Sequence, residues 1–242
     1  MQIIAHRGAS GSYPENTLLA IKQALLAKAD GIEIDVFCVE NQLVVIHDEN
    51  VSRTTNGTGL LQDFTLKQLQ QLDAGSGQQV PTLWQVLQLV NNQTLLNIEL
   101  KGADTAEPLL ELLKKAETEL GTDPDKLLIS SFNHHLLKQI KEHAPNTPVL
   151  MLSMHTPEQY AVRAIKAGAS GYLTKESAPY ELVKAVQQIL SGRKYITSEV
   201  AEVLAGSLEQ KDQRAPHEQL SDREFEVFKM IVMGKSISEI GE

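Results

Sequence analysis

Short apolar runs alternate along this sequence with segments that carry apolar residues at helical spacing. Such alternation is typical of β/α units, in which helices join parallel strands. Seven strands are predicted, near residues 2–5, 31–36, 43–46, 95–99, 127–131, 148–153 and 170–174. The predicted fold class is therefore α/β, and 242 residues suit one TIM-type β/α barrel or two small domains.

Seven helices are predicted between and after these strands. The first begins near Pro14-Glu15-Asn16, and its apolar face contains Leu18, Ile21 and Leu25. The other six are predicted over residues 65–72, 82–91, 105–119, 134–143, 157–167 and 179–191. The segment 194–197 is the candidate for an eighth strand.

Composition excludes several classes of function. A net charge of −9 argues against a general binder of nucleic acid or membrane surfaces, which needs clustered Lys and Arg. The same charge suits a cation site, although solubility is its commoner meaning. The single cysteine, Cys38, excludes an internal disulfide and a multi-cysteine zinc site. The sequence contains neither a signal-peptide pattern nor an apolar run long enough to span a bilayer, so we expect a cytoplasmic protein.

Two acids lie two residues apart within the apolar run 31–36. In a strand, Glu33 and Asp35 face one side of the sheet, while the isoleucines between and before them face the other. Parallel strands are usually covered on both faces, so buried carboxylates would repel each other unless a cation neutralises them. The alternative is an exposed polar face on an edge strand.

Further polar residues follow other predicted strands. His6 and His47 come at the ends of two strands, and Glu99 with Lys101 ends another. The catalytic groups of β/α barrels stand at the carboxyl ends of strands. Two histidines can act as general acid and base, and cations such as Arg7 can offset phosphoryl charge. These residues indicate a metal-assisted hydrolase that acts on a phosphoester.

Several motifs in the first 149 residues resemble the glycerophosphodiester phosphodiesterase family. They are Ala5-His6-Arg7-Gly8-Ala9, Pro14-Glu15-Asn16-Thr17, Glu33-Ile34-Asp35, Val44-Val45-Ile46-His47-Asp48, Arg53-Thr54-Thr55-Asn56-Gly57-Thr58-Gly59, Pro81-Thr82-Leu83, Ile98-Glu99-Leu100-Lys101 and Ser130-Ser131-Phe132. The resemblance implies hydrolysis of a small glycerophosphodiester to an alcohol and sn-glycerol 3-phosphate.

The same resemblance implies a role for each matching residue. Ca²⁺ or Mg²⁺ would be bound by Glu33, Asp35 and Glu99, and the acid/base pair would be His6 and His47. Phosphate would be contacted by Arg7 and Lys101. The motif also contains Glu15 and Asn16, whose supporting role is structural or catalytic.

The later part of the chain resembles a different family. Segments 149–155 and 167–175 resemble the last two strands of a response-regulator receiver domain, and Leu220-Ser221-Asp222-Arg223-Glu224 resembles the start of a LuxR-type helix-turn-helix. No tryptophan follows Trp84, so the late Trp-containing segment expected of the phosphodiesterase family is missing.

We therefore expect a hybrid barrel with a short helical tail. Its parts are five phosphodiesterase-like units in 1–147, two receiver-like units in 148–206, a linker in 207–219 and a truncated helix-turn-helix in 220–242. The main functional hypothesis is a phosphodiesterase. The alternatives are a catalytically impaired scaffold that still binds metal, and a regulator derived from a response regulator. We do not expect DNA binding, because the recognition helix is incomplete.

Overall fold

The structure is a computed structural model that describes residues 3–153, 156–174, 176–209 and 227. These residues contain seven strands: β1 Ile4–His6, β2 Gly31–Val39, β3 Gln42–Val45, β4 Leu95–Leu100, β5 Leu127–Ser131, β6 Val149–Ser153 and β7 Gly171–Thr174. The helices are α1 Leu18–Leu26, α2 Leu66–Leu69, α3 Leu83–Val90, α4 Ala106–Leu120, α5 His134–His143, α6 Pro157–Lys166, α7 Ala178–Leu190 and α8 Ser198–Glu209. Short 3-10 helices cover Val51–Arg53, Leu61–Asp63 and Pro124–Lys126.

Six of the strands form one parallel sheet in the order β1-β2-β4-β5-β6-β7. The described strands form an open sheet, in which β1 and β7 are the edges and are not paired with each other. The predicted eighth strand is reduced to a single parallel bridge between Tyr195 and Gly171. The prediction of an α/β fold built on a parallel sheet is confirmed.

The third predicted strand was wrongly assigned to the parallel series. It is β3, which pairs with β2 in an antiparallel hairpin turned by Glu40 and Asn41 at positive φ. After the hairpin the chain again lies beside the part of β2 that contains Asp35, whose carbonyl accepts the N–H of Ile46 at 3.1 Å. This hairpin has a second small core, made of Phe37, Val39, Val44, Ile46, Val51, Leu61, Leu69, Ala74 and Val80.

Two helix boundaries differ from prediction for local reasons. The first helix begins at Leu18 and not near Pro14, because the Thr17 hydroxyl caps it by accepting the N–H of Ala20 at 3.2 Å. The helix predicted over 65–72 is a single turn, α2.

Helix α8 was not predicted, and it extends to Glu209 across the start of the predicted linker. The rest of that linker and, apart from residue 227, the predicted helix-turn-helix lie outside the described residues.

The sheet has an outer face and an inner face, which strand alternation separates. The outer face packs against α1, α3, α4, α5 and α6 through alternate strand residues, among them Ile32, Ile34, Leu96, Ile98, Ile129, Met151 and Tyr172. The inner face presents Leu95, Leu128, Leu150, Leu152 and Leu173, which α7 covers with Ala185, Val186 and Ile189. Helix α7 therefore packs on the opposite side of the sheet from the five preceding long helices.

A cavity of about 800 Å³ lies at the amino end of the sheet, between β1 and α7. Its lining includes Ile4, Leu95, Val186 and Leu190. Within the described ranges, no helix is both long and apolar enough to cross a membrane.

The inner-face core predicts that both parts of the sheet unfold together. Ile189→Ala removes a buried side chain from a cluster that contains strand residues from both sides of residue 148, and should cost about 2–5 kcal/mol of unfolding free energy. Urea titration should show one transition, moved as a whole to lower denaturant. The matched control is Tyr180→Ala, which removes an 88% exposed side chain from the same helix. Two separate transitions, with only one moved, would contradict a shared core.

Candidate active site

Three acids converge on the inner face near the carboxyl edge of the sheet. Strand pairing places Asp35 directly beside Glu99, and Glu33 precedes Asp35 by two residues on the same face. Each carboxylate offers an oxygen within 4.8 Å of the other two. All three residues are buried, at 2% exposure for Glu33, 1% for Asp35 and 8% for Glu99. The two isoleucines of β2 face the outer core, as the alternation in sequence predicted.

The loop after β1 holds these acids through strained backbone. Arg7 and Asn16 adopt left-handed φ values of 56° and 57°. In this geometry the Arg7 N–H donates to Oε2 of Glu33 at 3.0 Å, and the Arg7 carbonyl accepts the N–H of Asn16 at 2.9 Å. The Asn16 amide donates to Oδ2 of Asp35 at 2.9 Å. Gly8 follows at φ +77°, where a Cβ would lie 2.7 Å from the backbone of Ala20.

Two cationic side chains partly neutralise the three acids. Lys101 forms an ion pair with Glu99, and its Nζ lies 3.2 Å from Oδ1 of Asp35. The Nε of Arg7 lies 3.3 Å from Oδ2 of Asp35, and its Nη1 donates to Oε1 of Glu15 at 2.9 Å. Glu33 receives only the Arg7 backbone N–H, and its Oε1 has no hydrogen-bond partner within the described residues.

The electrostatics of the site follow from this uneven pairing. Burial, together with the charges of Asp35 and Glu99, holds the pKa of Glu33 well above its usual value. Burial also raises the pKa of Glu99, although Lys101 opposes that rise. For Lys101, burial favours the neutral form, but Glu99 and Asp35 outweigh it and raise the pKa.

The donor set fits a hard divalent cation. The three side chains supply carboxylate oxygens, the ligands that Ca²⁺ and Mg²⁺ prefer. Glu33 Oε1, a buried acceptor with no hydrogen-bond partner in the described part of the chain, points to a positive group that would complete the cluster. These three carboxylates can therefore hold a divalent cation.

The two histidines flank the acids and differ in their surroundings. His6 ends edge strand β1 with 63% of its side chain exposed, and its Nε2 lies 3.7 Å from Oε2 of Glu33. Partial burial and the nearby Arg7 lower the pKa of His6, which favours its neutral imidazole. His47 follows the hairpin, and its Nδ1 lies 2.5 Å from Oδ1 of Asp48.

Two residues of the family motifs, Asp48 and Arg53, were not individually predicted to belong to the site. Asp48 and Arg53 join His47 to Glu15, because Arg53 contacts both carboxylates. The signal was present, since both residues belong to the family motifs, but no periodicity assigns them a partner. Asn97 was also missed. It is buried beside Glu33 in the strand pairing and accepts from the Ser130 hydroxyl at 3.0 Å.

The chain belongs to the glycerophosphoryl diester phosphodiesterase family, whose sequence model matches residues 6–195. This match extends beyond the residues on which the resemblance was first based. A glycerophosphodiester phosphodiesterase of Caldanaerobacter subterraneus is 44% identical over 160 residues, which cover 62% of this chain and 65% of that protein. One from Bacillus altitudinis is 38% identical over 172 residues, covering 66% of this chain and 70% of the relative. The chain thus spans about two thirds of the length of these relatives.

Solved structures of the same family have a similar fold. An Oleispira antarctica phosphodiesterase, in complex with the product sn-glycerol-3-phosphate, matches with a TM-score of 0.66 and 29% identity, covering 87% of this chain and 90% of that one. A glycerophosphodiester phosphodiesterase from Thermotoga maritima has a TM-score of 0.61 and 26% identity, covering 88% of this chain and 92% of its own.

A second, partial similarity concerns a different class of protein. The response regulator UvrY of Escherichia coli is 35% identical over 106 residues, which cover 43% of this chain and 49% of that protein.

The acidic cluster predicts one site for a divalent cation. Calorimetric titration with Ca²⁺ or Mg²⁺ should show a single site, and Glu33→Gln should weaken it by at least about tenfold, because one of three charged ligands is lost. Glu117→Gln, on the exposed side of α4, is the control for the change in net charge. Equal affinities for the wild type and Glu33→Gln would rule out this ligand set.

The same substitution should have the opposite effect on stability when metal is removed. In EDTA at pH 7, denaturant titration should give Glu33→Gln an unfolding free energy about 1 kcal/mol or more above that of the wild type. The substitution removes a buried charge and keeps an oxygen that accepts the Arg7 N–H.

The pKa of Glu33 is higher in the folded protein than in the unfolded chain. Glu33 therefore destabilises the folded wild type increasingly as the pH rises above about 4.5. The difference in unfolding free energy between the wild type and Glu33→Gln should therefore become smaller at lower pH. A variant less stable than the wild type throughout this range would contradict the repulsion.

Proposed function

We propose that this chain hydrolyses glycerophosphodiesters to an alcohol and sn-glycerol 3-phosphate. The proposal rests on the three buried acids, Glu33, Asp35 and Glu99, with two histidines and two cations around them at one edge of the sheet. The relatives named as glycerophosphodiester phosphodiesterases, and the product-bound Oleispira structure, support this choice of substrate. A cytoplasmic location remains a prediction from the sequence.

The proposed cofactor is Ca²⁺ or Mg²⁺, held by Glu33, Asp35 and Glu99. When bound, such a cation would polarise a phosphoryl oxygen and make the phosphorus a better target for water. The donor set supports a hard cation but does not separate these two, because both accept carboxylate oxygens.

The proposed acid/base pair is His6 and His47. One imidazole takes the proton that the attacking water loses, and the other gives a proton to the oxygen of the departing alcohol, so that protons balance over the reaction. A neutral His6 at the exposed mouth of the site suits proton uptake. For His47, the contact of Nδ1 with Asp48 leaves Nε2 as the nitrogen that faces away from that carboxylate.

Phosphate binding is assigned to Arg7 and Lys101. Both side chains already lie beside Asp35, and both keep partial exposure, at 17% and 18%. Their charges would offset the negative charge that develops on the phosphoryl oxygens. Glu15 and Asn16 would support them, since Glu15 holds Arg7 and Asn16 holds Asp35.

We propose in addition that residues 148–206 are receiver-like units joined to the phosphodiesterase part. The similarity to the response regulator UvrY supports this, as does the placement of α6 and α7 on opposite faces of the sheet. Helices on both faces are the arrangement of doubly wound sheets. All the proposed site residues precede this junction, whereas the loops that would position the glycerol group follow it.

Turnover is therefore expected, but at a reduced rate. A misplacement of about 1 Å can cost on the order of a hundredfold in rate, and foreign loops after β6 and β7 would impose such a loss. Glycerophosphocholine hydrolysis should require Ca²⁺ or Mg²⁺ and be slower than that of the Caldanaerobacter relative measured in parallel, while metal affinity stays similar.

His6→Ala should abolish the remaining activity, since it removes one of the two proposed acid/base groups. The control is His143→Ala, an exposed histidine at the end of α5. No hydrolysis by the wild type at saturating metal would refute the proposed activity and favour the metal-binding scaffold. An unchanged rate in His6→Ala would place the activity at another site.

A further inference from the structure

One arginine on the rim of the site contacts two separate carboxylates. Arg53 ends the 3-10 helix Val51–Arg53, and its Nε donates to Oδ2 of Asp48. Its Nη2 and Nη1 donate to the two oxygens of Glu15, at 2.7 Å and 3.0 Å. All three of its nitrogens therefore face protein carboxylates.

Each of those carboxylates also contacts a residue assigned to the reaction. Asp48 lies against Nδ1 of His47 at 2.5 Å, and Glu15 accepts from Nη1 of Arg7 at 2.9 Å. Through Asp48 and Glu15, the Arg53 side chain thus links His47, which follows the hairpin, to Arg7, which follows β1.

We infer that Arg53 is a positioning residue, which fixes the orientation of His47 through Asp48 and that of Arg7 through Glu15. This inference rests on the proposed function, because it concerns the alignment of that same site. Arg53 itself is not expected to touch the substrate.

The local structure supports a fixed position for this side chain. Val51, in the same turn, is fully buried in the hairpin core, and Asn50 caps the turn by accepting the N–H of Ser52 at 3.0 Å. The backbone that carries Arg53 is therefore anchored. Hydrogen bonds from Arg53 also lower the pKa of Glu15, which keeps that carboxylate charged at neutral pH.

Arginine suits this position for a geometric reason. The guanidinium is a rigid fork that can address one carboxylate through Nε and a second through both Nη atoms, whereas a lysine offers a single nitrogen. Because Arg53 is 48% exposed, solvent screens its charge, so charge alone contributes little. The geometry, and not the positive charge, should carry the effect.

The test compares Arg53→Lys with the wild type on glycerophosphocholine. We expect kcat to fall on the order of ten- to a hundredfold, with KM changed less than about threefold and cation affinity less than about twofold. In an Asp48→Asn background, Arg53→Lys should lower kcat by a smaller factor than in the wild-type background, because only the contact with Glu15 is left to disturb. The matched control is Arg193→Lys, at an exposed residue that follows α7.

A second readout does not depend on turnover. Nitrogen-15 spectra of labelled histidines, with His47 assigned by His47→Gln, should show the Nδ1–H tautomer in the wild type and a mixture of tautomers in Arg53→Lys. An unchanged His47 tautomer, or fully additive effects in the double variant, would each overturn the inference. An inactive wild type would refute the proposed function alone, since the spectra would still test whether Arg53 orients His47.

Discussion

The mutual repulsion of three buried carboxylates is the constraint on which the rest of this site depends. Glu33, Asp35 and Glu99 lie on neighbouring strands, where each loses hydration and faces the charge of the other two. The surrounding structure offsets this cost in several ways. Lys101 and Arg7 supply positive charge, and the backbone at Arg7 adopts a left-handed conformation that aims an N–H at Glu33.

The hairpin solves a problem of placement that the parallel sheet alone does not. Strand β2 continues beyond the level of Asp35, and β3 brings the chain back so that His47 arrives beside the acids. One face of the hairpin has its own core, centred on residues such as Val44 and Leu69, while Leu43 and Val45 on the other face join the outer core. One polar position in the site thus depends on a separate apolar cluster.

Much of this arrangement could be predicted from local sequence. The alternation of Glu33 and Asp35 with isoleucines determines which face is acidic, and short apolar runs mark the parallel strands. Strand direction could not be predicted for β3, because its apolar run reads the same in a parallel unit and in a hairpin. The link from Arg53 to Asp48 and Glu15 joins residues 5 and 38 positions apart, so only the tertiary fold reveals it. The metal-site and catalytic roles remain predictions.

The position of β1 at the edge of the sheet affects where the folded protein opens locally. This strand has three residues, pairs with β2 alone among the described strands, and borders the cavity beside α7. Edge strands with few neighbours open locally at low free-energy cost, long before the molecule unfolds. His6 and the turn at Arg7 are carried by this least protected strand. Hydrogen exchange of the β1 amides would therefore report the population of molecules in which the site is locally unfolded while the rest of the sheet stays folded.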